Sequence, residues 1–341
     1  MNKILIISHS GMGGGLEQMR AFESFLLSKN HSVDLMCFPG NDYKSRIWWY
    51  YQMAQSRIKG TYRNLMVWIA DIVERKIKTG TYDVVIGIGS LFSYVFTRDL
   101  SCLKLFSAQT SGADELYFSK KFNMDRIRTM REMEIEIMIK SDYVIFPWET
   151  LENYVKKYVW NGDNFVTVKY GCYPQKKVTS HFFPPSIVSI GNLSHNWANK
   201  ELMSNLARTC PYIIDVYGRF KPEKKYNLNY KGIAPSLDVL YNYQFGLNTV
   251  SSEILRRNDH SSRIMPYLAY GLPVLSPDWM KFSNGLKGCL PYNEDNFTDL
   301  VDKYSDKDSW ERLSQEAYKQ AIDLDWNKTL EVLETLISKK V

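Results

Sequence analysis

Short apolar runs alternate with stretches of helical periodicity along this chain, and the alternation starts twice. Runs typical of buried strands lie at 3–7, 33–38, 82–88, 103–108, 143–146 and 165–170. A polar, proline-bearing stretch, 173–186, interrupts the pattern, which resumes with runs at 187–190, 212–217, 228–231 and 274–276. Strands that alternate with helices form parallel, doubly wound sheets. The sequence therefore predicts an α/β protein with two tandem Rossmann-like parallel-sheet domains.

The length of 341 residues is too great for one ordinary domain and suits two. We expect an N-terminal domain over residues 1–175 and a C-terminal domain over residues 176–320. The remaining segment, 321–341, carries an apolar stripe at helical spacing, formed by Trp326, Leu330, Leu333 and Ile337. It is predicted to be a helix that packs back toward the N-terminal domain.

Net charge and cysteine spacing indicate which partners and which cellular compartment to expect. The net charge of +6 favours anionic partners. The five cysteines are widely separated and show neither a CxxC pair nor zinc-ligand spacing, which is typical of reduced thiols. The first apolar run is too short for a signal-peptide core, and no run approaches the length of a spanning helix. We expect a cytoplasmic protein, with peripheral contact to the inner face of the plasma membrane as an open alternative.

The segment 43–80 interleaves aromatic and basic side chains. Arg46, Trp48, Trp49 and Arg57 are the types that an interfacial helix uses, because rings sit at headgroup depth while cations meet anionic lipid. This pattern predicts contact with an acceptor or an anionic membrane surface. A helix whose apolar side faces the protein core gives the same pattern, so both interpretations stay open.

The segment 259–276 places a polar loop and a short helix ahead of a Gly-Leu-Pro break and an apolar strand. The first turn of a helix has free backbone N–H groups and favours anions, so Ser261, Ser262 and Arg263 are predicted to hold a phosphate group. Pro266 fits the start of a helix, where an N–H is not required. An ordinary loop, helix and strand of an α/β domain is the alternative.

Glycines close three strands of the second half, and together with the 262–274 segment they give the chain a family resemblance. Gly191, Gly218 and Gly232 follow the runs, and the chain resembles the GT-B glycosyltransferases, notably bacterial polysaccharide enzymes of the family-four and xanthan glucuronosyltransferase types. The resemblance implies a UDP- or GDP-linked nucleotide sugar as donor and a glycan or lipid-linked acceptor in surface polysaccharide assembly. It implies no bound metal, no cofactor and no nucleic acid partner.

The resemblance also assigns roles to individual residues. In these enzymes a basic residue matching Arg263 contacts the diphosphate. The donor-binding residues expected here are Gly14, Gly15, Asn192, Lys200, Arg219, Gly232, His260, Ser261, Ser262 and Arg263. Retaining members carry two glutamates that fall on Asn258 and Pro266 of this chain, and this departure favours a divergent or inverting member.

Inverting transfer requires a base that takes the proton of the acceptor hydroxyl. Asp114 follows the strand at 103–108, and ligands bind at the carboxyl ends of parallel strands, so Asp114 is the predicted base with Glu115 in reserve. Helix capping is the alternative role for Asp114. His9 follows the first strand and is expected to touch the acceptor or the donor.

Three other functions are alternatives to glycosyl transfer. A nicotinamide-dependent oxidoreductase would explain a glycine loop after the first strand, but Leu16 stands where the third glycine of the fingerprint belongs, and no acidic residue ends the second strand near Phe38. A sugar-nucleotide epimerase on the same scaffold and a noncatalytic binding module are further alternatives. DxD spacings at 306–308 and 323–325 lack a preceding strand and do not indicate a metal site.

Overall fold

Two compact units make up the chain. The computed structural model describes residues 1–9, 14–39, 50–51, 62–120, 122–191, 193, 197–219, 221 and 226–339. The first unit comprises Met1–Tyr170 and Thr329–Val341, and the second comprises Gly171–Lys328. Each unit holds a six-stranded parallel sheet with helices around it, which confirms the predicted α/β class and the two Rossmann-like sheets.

The sheet of the first unit reverses its strand order beside its first strand. Its strands are β1 (Lys3–His9), β2 (Ser32–Phe38), β3 (Val84–Ile88), β4 (Leu103–Ser107), β5 (Tyr143–Phe146) and β6 (Phe165–Thr167). They pair in parallel in the order β2-β1-β3-β4-β5-β6. The connections leave β1 in one direction and later continue past it in the other. The carboxyl ends of β1 and β3 therefore form a topological switch point, where open α/β sheets bind ligands.

The helices of the first unit pack on this sheet between its strands. They are α1 (Gly14–Ser28), α2 (Tyr62–Gly80), α3 (Ser90–Ser93), α4 (Gly112–Ser119), α5 (Met124–Lys140) and α6 (Glu149–Tyr158). Central strands β1 and β3 are buried almost throughout, because a parallel sheet is covered on both faces.

The sheet of the second unit has the doubly wound order 3-2-1-4-5-6. Its strands are β7 (Ile187–Ile190), β8 (Ile214–Tyr217), β9 (Leu228–Gly232), β10 (Phe245–Leu247), β11 (Val274–Pro277) and β12 (Cys289–Tyr292). They lie in the order β12-β11-β10-β7-β8-β9, all parallel. The switch point lies between β7 and β10.

The sequence did not predict β10 and β12. Strand β10 is three residues long and contains Gly246, so it carries almost no periodic signal. Strand β12 contains Pro291, which argues against a central strand but is tolerated here because β12 lies at the edge of the sheet.

The helices of the second unit include several short segments. They are α7 (Lys200–Thr209), α8 (Ile254–Asn258), α9 (Ile264–Ala269), α10 (Lys281–Asn284), α11 (Phe297–Lys303), α12 (Lys307–Asp323) and α13 (Trp326–Thr329). Trp310 of α12 is buried in the core, and its indole Nε1 donates to the Gln244 carbonyl at 2.9 Å. The stretch 173–186 lies within the second unit, where the N–H of Thr179 donates to the Tyr270 carbonyl at 2.9 Å.

The last helix, α14 (Glu331–Ser338), packs on the first unit, as predicted. The backbone N–H of Asn2 donates to His31 Nδ1 at 3.2 Å, so the ring proton lies on Nε2, which donates to Glu334 at 2.9 Å. Lys29 adds an exposed ion pair with Glu331 at 2.6 Å. A half-buried hydrogen bond thus fixes the end of the chain to the start of the first sheet.

The basic and aromatic segment of the sequence is described only in part. Arg46, Trp48, Trp49 and Arg57 lie outside the described residues, and so does the prediction that rests on them. Within α2, the side chains that follow helical spacing are buried: Leu65, Met66, Ile69, Val73 and Ile77. This part of the segment therefore faces the core of the first unit. Across the described ranges, helices fall short of the length and apolarity that a membrane span requires.

Replacement of Gly246 by alanine should destabilise the second unit. The added Cβ would lie 2.4 Å from the ring of Tyr267, closer than packed carbon atoms approach. We expect Gly246→Ala to lower the free energy of unfolding by about 1–3 kcal/mol. Gly285→Ala is the matched control, because an added Cβ there meets nothing within 4 Å, and we expect a change within about 0.5 kcal/mol. Urea denaturation of both variants measures the difference, and equal stabilities would contradict this packing.

Candidate functional site

Three loops meet at the switch point of the second sheet: one follows β7, one follows β10, and one precedes α9. Tyr267 of α9 fixes them together. Its hydroxyl accepts from the backbone N–H of Ile190 at 2.8 Å and donates to the carbonyl of Leu247 at 3.5 Å. Burial raises the pKa of Tyr267 to about 12, so the phenol keeps its proton at neutral pH. The start of α9 is thereby held against the carboxyl ends of β7 and β10.

The Arg263 side chain lies across this switch point. Its Nε is so close to Gly191 that a Cβ on that glycine would lie 2.6 Å away, and Gly191 also has a positive φ of 144°. Its guanidinium lies 4.7 Å from the centre of the Trp197 ring, and Nη1 donates to the Thr249 carbonyl at 3.4 Å. Burial lowers the pKa of Arg263 to about 10, which is still well above neutral pH. The group therefore remains a cation held in a fixed orientation.

A second guanidinium shares the same aromatic ring. Arg256 of α8 lies 5.3 Å from the centre of the Trp197 ring and donates from Nη1 to Asp259 Oδ2 at 2.6 Å. Asp259 is buried and also accepts from the backbone N–H of His260 at 2.8 Å. The charge of Arg256 contributes to the lowered pKa of Arg263. Two guanidinium groups therefore lie at one ring, and the Asp259 carboxylate pairs with Arg256, an arrangement that favours an anionic ligand near Arg263.

The predicted residues of the 259–263 loop lie together at this switch point. Ser261 is buried and donates from Oγ to Asn248 Oδ1 at 3.0 Å, while Ser262 and His260 are partly exposed. Helix α9 has only six residues, and Pro266 is its third. A helix this short contributes little dipole, so the capacity to hold an anion rests on the Arg263 side chain more than on the helix end.

Other predicted donor-binding residues lie along the same edge of the second sheet. Lys200 is exposed at the first position of α7, and Arg219 is exposed two residues after β8. Gly232 ends β9 with a φ of 83°. Asn192 lies outside the described residues. Roles in donor binding for these four remain predictions.

In the first unit, Asp114 lies in the first turn of α4 and is engaged by two neighbours. Its Oδ1 accepts from Arg131 Nη2, and its Oδ2 accepts from the Tyr154 hydroxyl at 2.9 Å. Partial burial and the Asp114 charge raise the pKa of Tyr154, so this hydroxyl stays a donor. Glu115 follows on the helix and is half-buried. These two contacts are sufficient to give Asp114 a structural role. Its role as the base remains a prediction.

Glu134 is a buried polar residue that the sequence did not indicate. Its carboxylate accepts from the backbone N–H of Gly112 at 2.7 Å, from that of Ala113 at 3.1 Å and from Ser90 Oγ at 2.9 Å. Burial raises its pKa. Because Glu134 lies in the middle of α5, its sequence neighbours give no sign of this contact. It satisfies the first N–H groups of α4 and ties together the loops after β3 and β4.

His9 and the start of α1 follow β1 at the switch point of the first sheet. His9 is exposed at the end of β1, its ring lies 6.3 Å from that of Phe92, and partial desolvation lowers its pKa. A Cβ on Gly15 would lie 3.2 Å from Gln109 Oε1, and Gly14 begins α1. The start of α1 therefore approaches the loop after β4 closely within the first unit, while residues 10–13 lie outside the described residues.

A depression of about 660 Å³ lies elsewhere in the first unit. It is lined by residues at the amino ends of β3 and β4, including Tyr82, Asp83 and Ser101. Ligands of doubly wound sheets bind at the carboxyl ends of strands, so this depression lies at the opposite edge from the switch point. We place the candidate site by topology and charge.

Comparison with solved structures identifies the fold. Sucrose-phosphate synthase from Thermosynechococcus elongatus superposes with a TM-score of 0.75 at 12% identity, over 100% of this chain and 99% of that one. Anabaena HepE in complex with UDP and glucose gives 0.65 at 12% identity, over 99% and 100%. Trehalose 6-phosphate synthase from Burkholderia multivorans gives 0.67 at 9% identity, over 100% and 99%. The chain therefore has the GT-B fold of glycosyltransferases along its whole length, and the predicted resemblance is confirmed at the level of the fold.

Comparison of sequences gives no match. No family model and no curated protein matches this chain.

Loss of the Tyr267 hydroxyl should loosen the switch point of the second sheet. Tyr267→Phe leaves the partly buried N–H of Ile190 without its acceptor. We expect the free energy of unfolding to fall by about 1–3 kcal/mol. Tyr212→Phe is the control, because that hydroxyl donates to Asp302 in an exposed hydrogen bond and should cost less than about 1 kcal/mol. Chemical denaturation compares the two variants, and an equal loss in both would contradict the anchoring role of Tyr267.

Proposed function

We propose that this protein is a glycosyltransferase that moves a sugar from a nucleotide-diphosphate donor, UDP- or GDP-linked, to a glycan or lipid-linked acceptor. The main observation in support is the position of the Arg263 guanidinium at the switch point of the second sheet of a GT-B fold. We place the reaction in the assembly of bacterial surface polysaccharide.

The chemistry requires stabilisation of the leaving diphosphate, on which negative charge develops as the glycosidic bond breaks. A guanidinium offers two parallel N–H donors to phosphate oxygens, and its orientation here is fixed by Gly191 and the Trp197 ring before any ligand binds. A charge that is already in place costs no reorganisation when the diphosphate forms. We expect the transfer to proceed without a metal ion, since this cation supplies the required charge.

The neighbouring structures support the nucleotide part of this proposal. HepE was solved in complex with UDP and glucose, and TarM of S. aureus was solved with UDP and an α-GlcNAc-glycerol. TarM also superposes on this chain with a TM-score of 0.70 at 11% identity. These ligands belong to those proteins, and we extend the ligand class, a uridine diphosphate with a sugar, to this one.

The residues at the two glutamate positions of retaining enzymes have local roles here. The Asn258 amide donates to the Ile254 carbonyl at 2.7 Å and accepts from Lys281 Nζ at 3.0 Å, while Pro266 lies within α9. Neither side chain can act as a carboxylate. We therefore favour an inverting or divergent reaction course, for which a base on the first unit would take the acceptor proton.

Replacement of Arg263 tests donor binding. We expect Arg263→Ala to weaken the binding of UDP or GDP by about 1.5–3 kcal/mol, roughly 10- to 150-fold, because a charge-assisted contact to the diphosphate is lost. Isothermal titration calorimetry on the full chain measures this change. Arg208→Ala is the matched control, because Arg208 is an exposed arginine in the last turn of α7. Unchanged affinity in Arg263→Ala would remove this residue from the site.

Replacement of Asp114 tests the proposed base. Asp114→Asn should abolish transfer while the affinity for the donor nucleotide stays unchanged, because the amide cannot take a proton. Tyr154→Phe is the control, since it removes a contact of the same carboxylate and leaves the carboxylate itself in place. A normal turnover rate in Asp114→Asn would refute the assignment, as would an equal loss of turnover in both variants.

A further inference from the structure

The loop that follows β10 holds three buried polar atoms that lack a hydrogen-bond partner within the described part of the chain. They are Thr249 Oγ1, Ser251 Oγ and Glu253 Oε2. A buried polar atom without a partner costs about 1–3 kcal/mol, and more when it is charged. Native proteins hold few such atoms, and each requires an explanation. Three within five consecutive residues point to a partner that binds from outside the chain.

This loop lies beside the Arg263 guanidinium. The Thr249 carbonyl accepts from Arg263 Nη1 at 3.4 Å, and the N–H of Ser251 donates to the carbonyl of Trp197 at 2.9 Å. The Val250 carbonyl accepts from Asn199 Nδ2 at 3.4 Å. These backbone groups are satisfied by the residues around the switch point, whereas the side-chain oxygens are not. The loop is therefore fixed in place with its side-chain hydrogen-bonding capacity unused.

The chemistry of these atoms indicates the kind of partner. A carboxylate oxygen only accepts hydrogen bonds, whereas serine and threonine hydroxyls both donate and accept. A ligand that satisfies all three must bring donors to the carboxylate and tolerate both roles at the hydroxyls. Adjacent hydroxyl groups of a sugar do both, and a vicinal diol can donate to one carboxylate from both of its hydroxyls.

We propose that Glu253, with Thr249 and Ser251, forms a subsite for a vicinal diol of the donor molecule. This inference rests on the proposed function, which places the diphosphate at Arg263. A nucleotide sugar carries a diol on each side of its diphosphate, one on the ribose and one on the transferred sugar. Glu253 thus recognises a pair of hydroxyl groups. It lies at neither of the two positions, Asn258 and Pro266, where retaining enzymes carry glutamates.

Titration calorimetry on the full chain tests the subsite. The ligands are UDP, GDP, the 2′-deoxy forms of both, UDP-glucose, UDP-galactose, UDP-N-acetylglucosamine and UDP-glucuronate. If the diol is that of the ribose, Glu253→Gln weakens binding of the preferred nucleotide about tenfold or more, and it weakens binding of the 2′-deoxy form, which keeps only the 3′-hydroxyl, by a smaller factor. If the diol is that of the transferred sugar, only binding of the nucleotide sugar weakens. Either result supports the proposal.

Two further variants keep the test independent of folding. Thr249→Val removes a buried hydroxyl without changing side-chain shape and should weaken the same ligands, while Glu201→Gln, an exposed glutamate in the first turn of α7, should leave affinity unchanged. Because the buried Glu253 Oε2 makes no hydrogen bond within the described residues, Glu253→Gln should leave the melting temperature of the ligand-free protein equal or higher. A structural role for Glu253 would lower it and overturn the proposal.

Different binding results would overturn the diol subsite and the proposed function. If Arg263→Ala loses affinity while Glu253→Gln and Thr249→Val match the wild type for every ligand, the diol subsite is wrong and the donor site stands. If the wild type binds none of these nucleotides, the proposed function itself is overturned together with the subsite.

Discussion

The hydroxyl of Tyr267 joins three elements of the second unit, and the geometry of the candidate site depends on it. It accepts a hydrogen bond from the N–H of Ile190 at the end of β7 and donates one to the carbonyl of Leu247 at the end of β10. The Tyr267 ring packs against Gly246. Only a residue without a Cβ fits at Gly246, and the same holds at Gly191, where the Arg263 side chain crosses. Two glycines and one phenol thus bring a guanidinium to the switch point and hold it there. The site is built by close packing on the strand ends, because α9 is too short to supply a strong dipole.

The charged side chains at this site favour an anionic ligand. Arg256 and Arg263 lie over one tryptophan ring, and the buried Asp259 contacts Arg256. Burial of Arg263 lowers its pKa without removing its charge at neutral pH. A cation placed in advance in a partly desolvated position interacts more strongly with a diphosphate than an exposed one would. Three side-chain oxygens of the loop after β10 lack a hydrogen-bond partner among the described residues, which supports our proposal that the ligand carries hydroxyl groups beside its phosphates.

Much of the fold follows from the sequence, and the exceptions have physical causes. Continuous apolar runs such as the one at 3–7 predict strands because both faces of a parallel sheet are buried. The three residues of β10 give no such signal, because the second of them is Gly246. A glycine is required there since the Tyr267 ring of α9 packs against it. Arg263 was predicted from its place before a short helix and a Gly-Leu-Pro break. Its contacts with Trp197 and Thr249 were not, because they depend on how separate loops pack. The carboxylate of Glu134 was missed for the same reason.

A crystal structure of the protein with UDP tests the central claim most directly. The account predicts electron density for the diphosphate in the second unit, with phosphate oxygens about 2.7–2.9 Å from the guanidinium nitrogens of Arg263. Diphosphate density at any other position, with the Arg263 guanidinium still directed only at protein groups, would contradict it.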